Sequence, residues 1–268
     1  MGVCPWRTSS TRVGAGGVGF VAAIVSPKPT LRPVDSLLRL RRDVCDCRRC
    51  PRLVAWREQV AVDRRAAYRD EVYWGRGVPG FGDPAARVLV LGLAPAAHGA
   101  NRTGRVFTGD RSGDWLYRAM HRAGLANQPT SVAADDGLEL TGAWVTAAVK
   151  CAPPDNKPEP AERDACRPFL ERELALLSDV RVVVCLGGFA YEVACKQWSV
   201  RPRPRFGHGV EVPTAGGPVL VCSFHPSQQN TFTGRLTEPM LDAVFTRAVE
   251  LGGDGGPGRR APRPTMRA

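Results

Sequence analysis

The chain has 268 residues, 43% hydrophobic and 24% charged, with a formal net charge of +11. Its longest apolar runs fall well short of the roughly 18 residues a membrane-spanning helix needs, so none is expected. The charge favours an acidic partner only weakly: residues 1–50 carry nine Arg/Lys against three Asp and residues 252–268 four Arg against one Asp, which leaves +2 on residues 51–251.

Residues 1–34 are rich in Gly, Ser and Arg and are expected to be a disordered or non-native extension. Gly14–Val25 is a weak signal-like core without a convincing cleavage site, and Gly2 lacks the hydroxyl residue that a myristoylation pattern requires. The folded domain is expected over residues 35–251, with a disordered basic tail over 252–268.

Ser36–Cys50 reads as a basic helix running into a cysteine turn, and Arg52–Val62 as a second short helix. Tyr73–Pro84 is Gly/Pro-rich loop. Arg87–Leu93, Val145–Val149, Val180–Leu186 and Val219–Phe224 are apolar runs of strand length. Helical patterns lie between and after them at Gly113–Ala123, Glu159–Leu177, Phe189–Gln197 and Thr237–Leu251. This alternation predicts an α/β fold whose largely parallel sheet is covered on both faces.

Nine cysteines are unevenly placed. Cys47 and Cys50 form a C-x2-C turn, and Cys151 and Cys166 have fourteen residues between them. Four thiolates suit zinc or an iron–sulfur cluster, and spacing does not separate the two. Cys45 is an alternative to Cys47, and four unrelated thiols remain the plain reading. Cys185 and Cys222 fall within strand patterns and read as core.

The loops that follow three strands carry the polar groups: Ala94–Asp110, Cys151–Pro158 and His225–Thr237. Carboxyl ends of parallel strands are where open α/β sheets bind ligands. One site is therefore expected on that rim. Asp110 reads equally as a helix N-cap, Asn156 as a turn residue, and His225 as a strand-end histidine satisfied by backbone. Asp114 reads as a first-turn residue favoured by the helix dipole.

Three segments together resemble the uracil-DNA glycosylase superfamily, most closely its family 5. They are Gly92-Leu-Ala-Pro-Ala-Ala-His-Gly-Ala-Asn-Arg-Thr-Gly-Arg-Val-Phe-Thr-Gly-Asp110, Thr146-Ala-Ala-Val-Lys-Cys-Ala-Pro-Pro-Asp-Asn-Lys-Pro158, and His225 to Thr237. The resemblance implies a three-layer α/β/α sandwich with a central, mostly parallel sheet. It also implies a structural [4Fe–4S] cluster on Cys47, Cys50, Cys151 and Cys166.

The implied activity is monofunctional hydrolysis of the bond between deoxyribose C1′ and a base, in base excision repair of damaged DNA. Asp110 is then expected near C1′, His225 on the pyrimidine O2, and Asn156 on water or base. Phe107 is expected to stack on the flipped base, with Ala147, His98 and Asn101 lining the pocket. Ala147 stands where family 4 has a base-reading asparagine. That departure implies a less selective site acting on uracil and also on hypoxanthine. Gln228, Gln229, Asn230, Arg235, Arg105, Arg102, Lys150 and Lys157 are expected to contact DNA. A monomer in the cytoplasm, at the nucleoid, is expected. A non-catalytic DNA-binding module that keeps the fold and the cluster is the alternative.

Overall fold

The computed structural model describes residues 35–253. The expectations for residues 1–34 and for the tail from residue 254 lie outside the described residues.

Eight α-helices and six strands alternate along the described chain. The central strands are β2 (Val88–Gly92), β3 (Ala143–Ala147), β4 (Val182–Leu186) and β6 (Val219–Ser223), all mutually parallel. Two-residue strands β1 (Phe81–Gly82) and β5 (Glu211–Val212) pair antiparallel at the edges, giving the order β1-β3-β2-β4-β6-β5. β2 to β4 are buried at every position, as strands covered on both faces should be.

Alternate residues of each strand serve opposite layers. Val88, Val90, Val145, Val184 and Val221 face a core with Leu116, Met120, Val244 and Phe245. Those residues come from α4 (Arg111–Arg122) and α8 (Glu238–Gly252). Leu89, Leu91, Trp144, Val183 and Cys222 face Leu170, Tyr191 and Ala194. Those belong to α5 (Pro160–Leu176) and α6 (Gly188–Gln197). The expected three-layer sandwich is present. Cys185 and Cys222 are core thiols with burial raising both pKa values, Cys222 to about 12.

The amino-terminal helices depart slightly from their expected bounds. α1 covers Leu37–Cys45 and stops before the C-x2-C turn, because Pro51 opens a separate helix, α2 (Pro51–Asp63), at its preferred first position. No described helix is long and apolar enough to cross a membrane.

Candidate active site

The rim at the carboxyl ends of β2, β3 and β6 encloses a cavity of about 420 Å³. Asp110, Asn156 and His225 line it together, with Phe107, Ala147 and residues 93–96. Gln228 and Gln229, from the short helix α7 (Gln228–Phe232), form part of its edge.

Local chain geometry aims these groups. Phe107 is held at φ 51°, a conformation a bulky residue rarely adopts. Its ring packs so closely on the end of β2 that a Cβ at Gly92 would fall 2.7 Å from it. Asn156 adopts φ 55° within the short 3-10 turn Pro154–Asn156, a left-handed position that Asn tolerates.

Asp110 serves both readings at once. It caps α4, its Oδ1 accepting from Gly113 N–H at 3.0 Å. Its Oδ2 lies against the loop after β2, where a Cβ at Gly99 would meet it at 2.0 Å. Burial raises the Asp110 pKa above 3.8, and the Gly113 and Ser112 N–H groups offset only part of the shift.

His225 follows β6 directly. Its carbonyl accepts from Asn230 Nδ2 at 2.8 Å, which fixes the backbone. Its ring makes no hydrogen bond to other described residues. Burial pushes its pKa down to about 4. The neutral ring therefore keeps one N–H to donate into the cavity.

Several residues expected at this site or on DNA sit elsewhere. Asn101 is fully buried and donates to the Arg57 carbonyl at 3.2 Å, away from the cavity. Arg105 is 5% exposed, where it pairs with Asp136 at 2.8 Å and bonds Ser131 and Thr108. Arg102 bonds Glu71 and the Gly109 carbonyl. Lys150 is 2% exposed and bonds Glu173 and Thr146. These three cations brace the protein itself and are not available to phosphate. His98 lines an adjoining cavity, not the one that holds Asp110 and His225 together, and its Nδ1 meets the Tyr73 hydroxyl at 3.2 Å.

Asn230 acts on the His225 backbone, while the Arg235 guanidinium lies 4.6 Å over the Phe224 ring. Phe232 is not among the residues that the sequence marks. This ring is 68% exposed at the end of α7, with the Arg111 guanidinium 4.2 Å above it. An apolar residue among the amides of the His225 loop was the available signal.

Cys47, Cys50, Cys151 and Cys166 line one small cavity with Leu53, Val149 and Phe169. None of the four is in a disulfide. Arg57 donates to Cys151 Sγ at 2.9 Å, and the Lys150 N–H donates to Cys166 Sγ at 3.2 Å. Burial raises the pKa of Cys50, Cys151 and Cys166, the last to about 12. Among the described residues no group of three or more His, Cys, Asp or Glu side chains closes on a site for a single metal ion. Cys45 is buried but does not line this cavity.

A model of the uracil DNA glycosylase superfamily matches residues 79–248. The chain is 57% identical over 221 residues to the type-5 uracil-DNA glycosylase of Mycobacterium bovis, covering 81% of this chain and 82% of that one. Against the type-5 uracil-DNA glycosylase of Thermus thermophilus the identity is 54%, covering 77% and 94%. A type-4 uracil-DNA glycosylase of Sulfurisphaera tokodaii is 28% identical over 155 residues, 58% of this chain and 56% of that one. With a carboxylate, an amide and an imidazole on one rim and relatives this similar over most of its length, the chain belongs to the uracil DNA glycosylase superfamily, in its type-5 branch.

Proposed function

We propose that the chain is a monofunctional DNA glycosylase that releases uracil, and other deaminated bases such as hypoxanthine, in base excision repair. The observation that carries this reading is the sharing of one cavity by Asp110 and His225, with the Phe107 ring beside them.

The glycosidic bond is hidden in duplex DNA, so the nucleotide must be extruded into the cavity. Phe107 stacks on the base. As the C1′–N bond breaks, its electron pair leaves with the base and positive charge develops on the sugar, as in glycoside hydrolysis. The Asp110 carboxylate stabilises that charge and accepts a hydrogen bond from the attacking water. The water oxygen bonds C1′, and the displaced proton passes to Asp110 or solvent. His225 donates its N–H to the base oxygen where negative charge collects. Asn156 orients the water or the base edge.

Ala147 is buried at the end of β3 and offers this cavity no donor or acceptor. With no base-reading amide at this position, the cavity should discriminate less sharply between lesions. Side-by-side single-turnover rates on uracil and hypoxanthine duplexes test this. Release of both is expected, and strict uracil specificity contradicts it. Phe232 is suited to fill the gap left by the extruded nucleotide, with Gln228 and Gln229 beside it.

Cys47, Cys50, Cys151 and Cys166 fit a [4Fe–4S] cluster. They supply an all-thiolate set in an apolar cavity, with two N–H donors aimed at sulfur. A cationic iron core is what would hold such buried thiols ionised. When bound, the cluster supplies a structural cross-link between the amino-terminal helices and the β3 loop. No step of the hydrolysis needs it.

A further inference from the structure

Asp110 and Asn156 face two cavities. The second holds about 370 Å³ and shares Ala96, Asp110, Arg111, Asn156 and Gln228 with the first. Its far wall comes from a stretch that no sequence motif marked: Trp56 of α2, and Arg65 and Tyr68 just after that helix.

The packing of α2 does not account for these side chains. The helix buries Leu53, Val54, Arg57 and Val60, and Trp56 lies off that stripe with 37% of its surface exposed. Arg65 is exposed, and its guanidinium has no acceptor among the described residues. Its basic neighbours are tied down: Arg64 to the Ala61 and Arg69 carbonyls, and Arg102 to Glu71, Gly109 and the face of Tyr68. His98, also on this wall, is kept below its ordinary pKa by burial, then by the charges of Arg65 and Arg102. Apart from Asp110, the one carboxylate on the lining is the exposed Asp155.

A nucleotide with its base in the first cavity and C1′ at Asp110 must lead its sugar–phosphate chain out past Asp110 and Asn156. The second cavity adjoins that course, and it offers an uncommitted cation and a partly exposed indole. We propose that it is a strand-binding subsite for DNA on one side of the extruded nucleotide, with Arg65 pairing with a phosphate and Trp56 stacking on the neighbouring base. This rests on the reading of the first cavity as the base pocket. Such stacking is sequence-tolerant, because every base presents a π-face.

The test measures affinity against salt concentration for uracil-containing strands, using the full chain and Arg65→Ala, Arg65→Lys and Trp56→Ala variants. Arg65→Ala should bind about tenfold more weakly at low salt and lose about one unit of slope in log affinity against log salt. Arg65→Lys should keep the slope, because it keeps the charge. Trp56→Ala should weaken binding by about tenfold with the slope intact. Strands ending directly 5′ or directly 3′ of the lesion identify the side: only one of the two truncations should make binding insensitive to the variants. Wild-type affinity and slope in both alanine variants, with melting curves showing them folded, overturns the proposal. If the wild type binds with an Arg65-dependent slope yet releases no base, the base-pocket reading fails while the subsite stands.

Discussion

The Phe107 ring lies 5.8 Å from the His225 imidazole, centroid to centroid, with the planes inclined by 35°. Phe107 sits in the loop after β2 and His225 at the end of β6, so two strands separated in the sheet by β4 bring these rings together. In the proposed mechanism this pair is the stacking surface and, beside it, the hydrogen-bond donor. Phe107→Ala should leave DNA binding largely intact and lower excision by roughly tenfold or more, by analogy with the loss of a base–aromatic stack. Single-turnover kinetics at saturating enzyme check this.

The acid limb of the excision rate should belong to Asp110. Burial raises its pKa, and the proposed mechanism requires the ionised form. The rate should therefore fall with pH through a midpoint above 3.8, the ordinary carboxylate value. Asp110→Asn should remove that limb and leave a small residual rate that varies little with pH. A pH–rate profile of both proteins measures it.

His225 should make the fold acid-sensitive. Its folded pKa of about 4 lies below the ordinary 6.5, so the unfolded chain binds the proton first. Stability is full above 6.5 and is lost as pH falls toward 4, with about 2 kcal/mol gone near pH 5. His225→Gln should lose less stability across that window. His98 and His208, also held low chiefly by burial, retain part of the loss. Denaturant melts between neutral pH and pH 4 to 5 supply the comparison.

Phe232 should matter for duplex and not for single strands. Phe232→Ser should slow excision from duplex uracil substrates by about tenfold, because extrusion loses its wedge, while single-stranded substrate has no stack to open. Equal effects on the two substrates count against the wedge role.

Arg105→Ala should cost stability of about 3 kcal/mol, because it leaves the Asp136 carboxylate without a counter-ion and with only backbone N–H donors. Burial pushes the Asp136 carboxyl up, yet the Arg105 hydrogen bond and backbone donors leave its pKa lowered. The salt dependence of DNA binding should not change. Thermal melts and binding isotherms separate the two effects.

Much of this molecule was legible in its residues. The four central strands stand out as mostly apolar runs between helical patterns, since a strand buried on both faces admits a polar residue such as Thr146 only where it is hydrogen-bonded. Strands β1 and β5, two residues each, leave no periodic trace. The convergence of Asp110, Asn156 and His225 followed from their place after strands. The fate of the arginines did not. Arg105 looked like any loop cation, and its partner Asp136 lies 31 residues away in a loop with no pattern. Asn101 and Lys150 were misjudged for the same reason: a polar side chain's neighbours are fixed by tertiary packing, not by spacing. Trp56 and Arg65 carry no motif: one lies in a short helix and the other just after it, and only the fold brings them beside Asp110.

The most direct measurement is single-turnover release of uracil from duplex DNA by the wild type, Asp110→Asn and His225→Ala, with DNA affinity determined in parallel. Asn retains the helix cap that Asp110 provides. Both variants are expected to bind DNA within a few-fold of wild type and to release base about a hundredfold more slowly or worse. Near-wild-type release by either folded variant would contradict the assignment of the carboxylate and the imidazole to one nucleotide.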